Sequence, residues 1–200
     1  MNRKTKAGGV SEARARLLGT AVRIFYAEGI HSVGIDRIIE EAKVTRATLY
    51  RHFSGKEDLV LAYLEQADQG IRAQLSAAQE SVHAPDERVR AVGRAIAEGI
   101  RSEGFRGCAF LNAAAEYPDP AHPIHRAVLA HRQWFLDMVT DLLAQVGDEP
   151  AESAGRHFVM LRDGAMAAGC LSDSGLVTET FLDGVEGILR ARVAARPAGA

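Results

Sequence analysis

GIDRIIEEAKVTRATLYRHFSGKEDLVLAYLE, residues 34–65, carries two short apolar stripes at helical spacing, separated by a break of about three residues. In the first stripe Ile35, Ile38, Ile39 and Ala42 face one way, and Asp36, Arg37, Glu40 and Glu41 face the other. In the second, Thr45 stands where an N-cap is wanted, and Leu49 and Phe53, four apart, point inward together. Ser54 and Gly55 interrupt the pattern, and a longer helix resumes at Lys56 with a stripe through Leu59, Val60, Tyr63, Leu64, Ala67, Ile71 and Leu75. Upstream, Leu17, Leu18, Ala21, Val22 and Phe25 mark a helix over about 11–28, with Ser11 as its cap and Gly29 at its left-handed stop. The spacing therefore predicts a three-helix unit whose last two members form a helix-turn-helix over about residues 35–53.

Geometry then assigns the outer face. Ile38, Ala42, Val44, Leu49 and Phe53 knit the two short helices to the first, which leaves residues 46–52 as a rigid polar surface for a major groove. Arg46 can donate a bidentate pair to guanine, Thr48 can hydrogen-bond a base or offer its methyl to thymine, and Ala47 permits close approach. Tyr50, Arg51 and His52 flank them, and Lys56 opens the next helix, whose own first amides attract phosphate. Arg3, Lys4 and Lys6 form a flexible basic N-terminal arm suited to phosphate or minor-groove contacts.

This segment, about residues 11–65 in all, resembles the signature of the TetR family of bacterial transcription repressors, including the Tyr-x-x-Phe spacing at Tyr50 and Phe53 and the following Lys-Glu-x-Leu at Lys56. The resemblance implies that Arg46, Ala47, Thr48 and Arg51 face base edges, while Thr45, Tyr50, His52 and Lys56 hold phosphates. Two positions depart from the family's habit. Gly34 stands where the second helix commonly starts on threonine or serine, so a side-chain cap is missing. Lys43 stands where the turn commonly has glycine, so it must accept either a strained backbone or a slightly different turn, with a phosphate contact as the expected gain.

Charge follows the same division. Residues 1–60 carry 11 basic and 7 acidic side chains, whereas residues 61–200 carry 13 basic, all arginine, and 19 acidic. A basic head on an acidic body places the polyanion at the head. With 47% apolar and 25% charged residues the 200-residue chain has the composition of a globular protein. It has no apolar run of membrane length and no secretory signal at its basic start, which predicts a cytoplasmic protein.

Beyond residue 80 the helical pattern continues, with helices expected near 86–102, 108–116, 124–146, 151–171 and 177–194. The fold class is thus all-α, an N-terminal helix-turn-helix DNA-binding domain (1–56) joined to a helical bundle (57–200). The resemblance implies that this bundle binds an effector and dimerises through its last two helices. Those helices hold Gly155, Gly164, Ala165, Ala167, Ala168, Gly169, Gly184 and Gly187, a composition that suits close helix crossings at a dimer interface or within one subunit.

Candidate effector contacts combine apolar bulk with isolated polar groups: Phe105, Phe110, Asn112, His131, Trp134, Met138, Phe158 and Met166, with Phe135 and Met160 nearby in sequence. Asn112 and His131 stand out as polar groups on otherwise apolar helices that need partners. His122, His125 and His131 have no spacing typical of a metal site, and no cofactor is expected. Cys108 and Cys170 read as two small buried side chains or, alternatively, a redox pair. No phosphate loop, dinucleotide fingerprint, zinc-protease helix or nucleophile elbow occurs, so no enzyme is expected. The leading expectation is a homodimeric repressor that binds a pseudo-palindromic operator in duplex DNA and is released by a small-molecule effector. Two alternatives stand beside it: a helical binding or catalytic protein with a vestigial head, and an effector-free activator or nucleoid-type DNA binder.

Overall fold

The structure, a computed structural model, describes residues 7–194. Among these the regular structure is helical throughout: α1 (Ala7–Glu28), α2 (Ile35–Glu41), α3 (Arg46–His52), α4 (Lys56–Glu80), α5 (Pro85–Arg101), α6 (Ala109–Glu116), α7 (Pro123–Ala144), α8 (Glu152–Ala168) and α9 (Ser174–Ala194). The basic arm of Arg3, Lys4 and Lys6 lies outside the described residues. α1 already runs from Ala7, so Ser11 lies inside it and does not cap it. Nothing in residues 7–10 breaks a helix as proline would, and serine is tolerated within one.

The chain packs as two compact units, one from the described parts of Met1–Ala67 with Asn112–Val128, the other from Asp68–Leu111 with the described part of Leu129–Ala200. In the first unit Leu17, Ile24, Val33, Ile38, Leu49, Leu59 and Val60 are fully enclosed, and the Phe25 and Tyr63 rings meet at 5.9 Å. The stop of α1 falls at Gly29, whose φ of +91° only glycine adopts without strain. Its neighbours are tied down from elsewhere in the unit: the Glu116 carboxylate accepts the Ile30 N–H at 2.8 Å and the His31 N–H at 2.5 Å.

In the second unit α9 packs along α5 and α8. Phe135, Phe158 and Phe181 form a ladder of rings at 6.3 and 6.0 Å through its core. Buried Arg192 donates to the Gly147 and Pro150 carbonyl oxygens at 2.8 and 3.0 Å, which closes the turn between α7 and α8. The small residues of α8 and α9 serve two purposes. A Cβ on Gly155 would lie 2.1 Å from Thr140 Oγ1, and one on Gly184 would lie 2.5 Å from Leu161, so both permit close crossings within the chain. Gly164 meets nothing within 4 Å. Cys108 is buried and Cys170 exposed, and both are free thiols. Cys170 thus departs from the expected pair of buried side chains, because it follows α8 in an open turn.

Gly155→Ala is expected to destabilise the chain by about 1–3 kcal/mol through overpacking against Thr140. Gly70→Ala, on a solvent-facing site of α4 with open space around it, is expected to stabilise it by about 0.5–1 kcal/mol. Thermal melts of the two variants should therefore move in opposite directions.

Candidate nucleic-acid interface

α3 has only 7 residues, too few to be stable in isolation, so its position comes from packing and caps. Leu49 and Phe53 supply the packing, at 0% and 2% exposure, and each is worth roughly 1.5–3 kcal/mol on burial. Arg14 on α1 lays its guanidinium 5.1 Å from the Phe53 ring centre. Thr45 supplies the cap: its backbone is extended, and its hydroxyl accepts the Thr48 N–H at 3.1 Å. The same hydroxyl lies 2.9 Å from that of Thr48, which orients the Thr48 side chain.

The turn before it closes through backbone bonds, with the Ala42 N–H donating to Ile38 O at 2.9 Å, Lys43 to Glu40 O at 3.0 Å and Val44 to Ile39 O at 3.2 Å. Closing it costs Lys43 a left-handed φ of +53°, a strain of about 1–2 kcal/mol for a side-chain-bearing residue. Gly34 is the N-cap of α2 and makes no side-chain cap, as its missing side chain requires.

Charge pairs span α1 and α2 at the surface. Arg37 donates to both Glu28 oxygens at 2.5 and 2.7 Å and to Glu41 at 2.8 Å, while Arg23 donates to the other Glu41 oxygen. The Arg37 hydrogen bonds hold the Glu28 carboxyl below the usual carboxylate range, and those of Arg23 and Arg37 do the same for Glu41. These carboxylates therefore spend their charge on the scaffold.

On the outer face Arg46, Ala47, Tyr50 and Arg51 are exposed, and Thr48 and His52 are half-buried. Tyr50, half exposed, is a large aromatic with a hydroxyl on a surface that gives it no core to fill. Thr45 and Lys43 are also exposed beside them. The Arg46 guanidinium is ion-paired with Asp36 on α2, an exposed contact between two polar residues of the same surface. Lys56 is half-buried: burial pushes its pKa down, opposed by the Glu116 carboxylate. The Asp36 partner and the Glu116 clamp were not singled out from sequence. Asp36 reads there only as the solvent side of α2, and Glu116 is 86 positions from the backbone it binds.

The candidate effector residues fall into several places. In the second unit, Phe110 stacks on the His131 ring at 3.6 Å, and Trp134 lies 5.5 Å from the same imidazole. His131 is buried, with Nδ1 at 2.6 Å from Asp68 Oδ1 and Nε2 without a hydrogen-bond partner. Burial pushes its pKa down against the pull of Asp68, and because a carboxylate accepts, Nδ1 is the nitrogen that donates to it. Burial alone would raise the Asp68 carboxyl, but hydrogen bonds from Arg72 and His131 outweigh it and leave it low. Trp134 and Met138 line a cleft of about 670 Å³. Phe158 and Phe135 are core, with Phe105 and Met166 packed partly buried against the same cluster. Asn112 is exposed and belongs to the first unit, and Met160 is exposed on a separate apolar groove. Of the other histidines, His122 Nδ1 accepts the Ile124 N–H at the start of α7, and His125 Nδ1 lies 2.7 Å from the Tyr117 carbonyl oxygen.

Comparison with known proteins bears on this geometry. The family described as bacterial regulatory proteins, tetR family, matches residues 17–63, which span α1 to α3 and the start of α4. The crystal structure of SCO4454, a TetR-family transcriptional regulator from Streptomyces coelicolor, is 78% identical and superposes with a TM-score of 0.90 over 92% of this chain and 97% of that one. The transcriptional regulator AcuR of Cereibacter sphaeroides is 30% identical over 94% of this chain and 80% of its own. The HTH-type transcriptional regulator YjdC of Escherichia coli is 28% identical over 80% of this chain and 81% of its own. A capped, exposed recognition helix on a buried anchor, in a chain alike along nearly its whole length to such a regulator, has one reading: the chain belongs to the TetR family and is a DNA-binding transcriptional regulator.

Proposed function

We propose that the chain is a repressor that binds a pseudo-palindromic operator as a homodimer and leaves it when a small molecule occupies the second unit. Residues 1–56 read the DNA and residues 57–200 dimerise and sense the effector. The observation that carries this reading is the outer face of α3, where polar and cationic side chains stay exposed on a helix held rigid by Leu49 and Phe53. Arg46, Ala47, Thr48 and Arg51 meet base edges. Thr45, Tyr50, His52, Lys43 and Lys56 meet phosphates, Lys56 at the amide-rich start of α4. A dimer would present two such helices about one helical turn of DNA apart, roughly 34–36 Å.

The dimer face is the groove formed by α8 and α9, lined among others by Met160, Gly164, Ala168 and Leu176. Met160 and Leu176 are 71% and 67% exposed, an unusual state for large apolar side chains on facing positions of two helices. An effector that binds better to one arrangement of the dimer than to another shifts the population away from the operator-matched form.

Selection from a random duplex pool with the purified protein should enrich an inverted repeat, and a pool that yields no repeat would contradict operator reading. On that selected duplex, Arg46→Ala is expected to narrow the preference over scrambled DNA by about 1–3 kcal/mol. Tyr50→Ala should weaken both duplexes alike. Asp36→Ala removes a negative charge from the face and frees Arg46, so it should raise affinity for scrambled DNA severalfold; unchanged binding would mean that Arg46 does not act there. Finally, Met160→Glu combined with Leu176→Glu should sediment as a monomer and lose at least tenfold in operator affinity while keeping the helical circular dichroism of the parent.

A further inference from the structure

The cleft that Trp134 and Met138 line is formed by α4, α5 and α7 of the second unit, with the short connection between α4 and α5 at one side. Its volume of about 670 Å³ is in the range of small-ligand sites. Apolar surface comes from Leu75, Val82 and Met138 as well as the indole. Two arginines stand in this wall, and they differ in how their charge is met. Arg72 donates to Asp68 at 2.6 Å and lays its guanidinium 3.9 Å from the Trp134 ring centre. Arg88 has no such carboxylate among the described residues: its bond to Gln79 Oε1 is a long 3.4 Å, and its Nε is out of solvent with no acceptor. Two positions further along α5, Arg90 takes Asp86, Glu87 and Glu186 at 2.6 to 2.8 Å. Local carboxylates thus neutralise the arginine outside the cleft and leave Arg88 short of an acceptor inside it. The acidic lining residue, Glu80, is exposed, where water screens it.

We propose that this cleft binds an amphipathic organic anion, with its acid group on Arg88 and its flat unsaturated body against the Trp134–Arg72 wall. The assignment rests on the effector reading above and names the chemical class of the effector. A carboxylate in the cleft supplies the counter-charge that no described residue gives Arg88, and it binds at the guanidinium edge held only by the long bond to Gln79. An aromatic or conjugated body gains the indole contact and the offset stacking that a saturated one lacks. A cationic ligand would meet two guanidinium groups, and a neutral one would leave Arg88 without a carboxylate partner.

Trp134 is the single tryptophan of the chain, so its emission reports on the cleft directly. The test titrates the full-length protein, without DNA, with 3-phenylpropanoate, its neutral amide and the corresponding 3-phenylpropylamine, exciting at the red edge of tryptophan absorption. The expected result is a saturable change in Trp134 emission with the carboxylate and binding about tenfold or more weaker for the amide and the amine. Arg88→Gln should weaken the carboxylate by about tenfold and leave the amide unchanged, while Arg88→Lys, which keeps the charge, should recover part of the loss. An amide or amine that binds as well as the carboxylate would overturn the proposal. So would an Arg88→Gln protein that folds normally and binds the carboxylate as before, or no saturable change with any of the three into the millimolar range. Adding the carboxylate to the complex with the selected duplex reads the underlying function separately. If the anion binds and the DNA stays bound, the ligand class stands and effector release fails.

Discussion

The burial of Leu49 and Phe53 is the contact on which the reading of DNA depends. A seven-residue helix has no stability of its own, because the cost of fixing its first turn is not recovered over so short a length. Two side chains one turn apart, both out of water, give α3 its place and its rotation together, since rotating the helix would expose one or the other. The Thr45 hydroxyl then fixes where the helix begins. The face opposite the anchor carries Arg46, Ala47, Tyr50 and Arg51 in solvent, and their directions are inherited from the anchor. The strained Lys43 backbone fits the same logic: the turn must close in three residues for α3 to reach its socket, and the packing that follows offsets the strain.

Ion pairs do a second job on the same unit. Arg23, Arg37, Glu28 and Glu41 link α1 to α2 on the surface, and such exposed pairs add little stability each. They leave the Glu28 and Glu41 carboxylates matched by arginine charge. Asp36 differs, because its partner is Arg46 on the exposed face of α3. If Arg46 meets a base edge as proposed, binding exchanges one partner of that guanidinium for another, and the carboxylate would help discriminate against duplexes that offer no good acceptor in return.

Most of the architecture was legible in the sequence. The stripes through Ile35, Ile38, Leu49 and Phe53, the cap at Thr45 and the stop at Gly29 are local signals, and the helices begin and end within a few residues of where those signals put them. At Lys43, in a glycine's place, the sequence left a strained backbone and a different turn both open, and the chain takes the strained backbone. The features that stayed hidden are contacts between distant positions. Glu116 is one among many acidic residues until the fold sets its carboxylate on the Ile30 and His31 amides. The glycines of α8 and α9 look alike in sequence, yet Gly155 and Gly184 serve crossings within the chain while Gly164 faces open space, a difference that only neighbours can make. Arg88 likewise looks like Arg90 until one finds carboxylates and the other does not.

Backbone amide exchange on the whole chain shows whether the surface carried by α3 meets DNA. With the selected duplex bound, exchange should slow across residues 43–56, beyond any change in α5 of the second unit. Tight, salt-sensitive binding with protection confined to the second unit, and none in residues 43–56, would mean that a surface other than α3 holds the DNA.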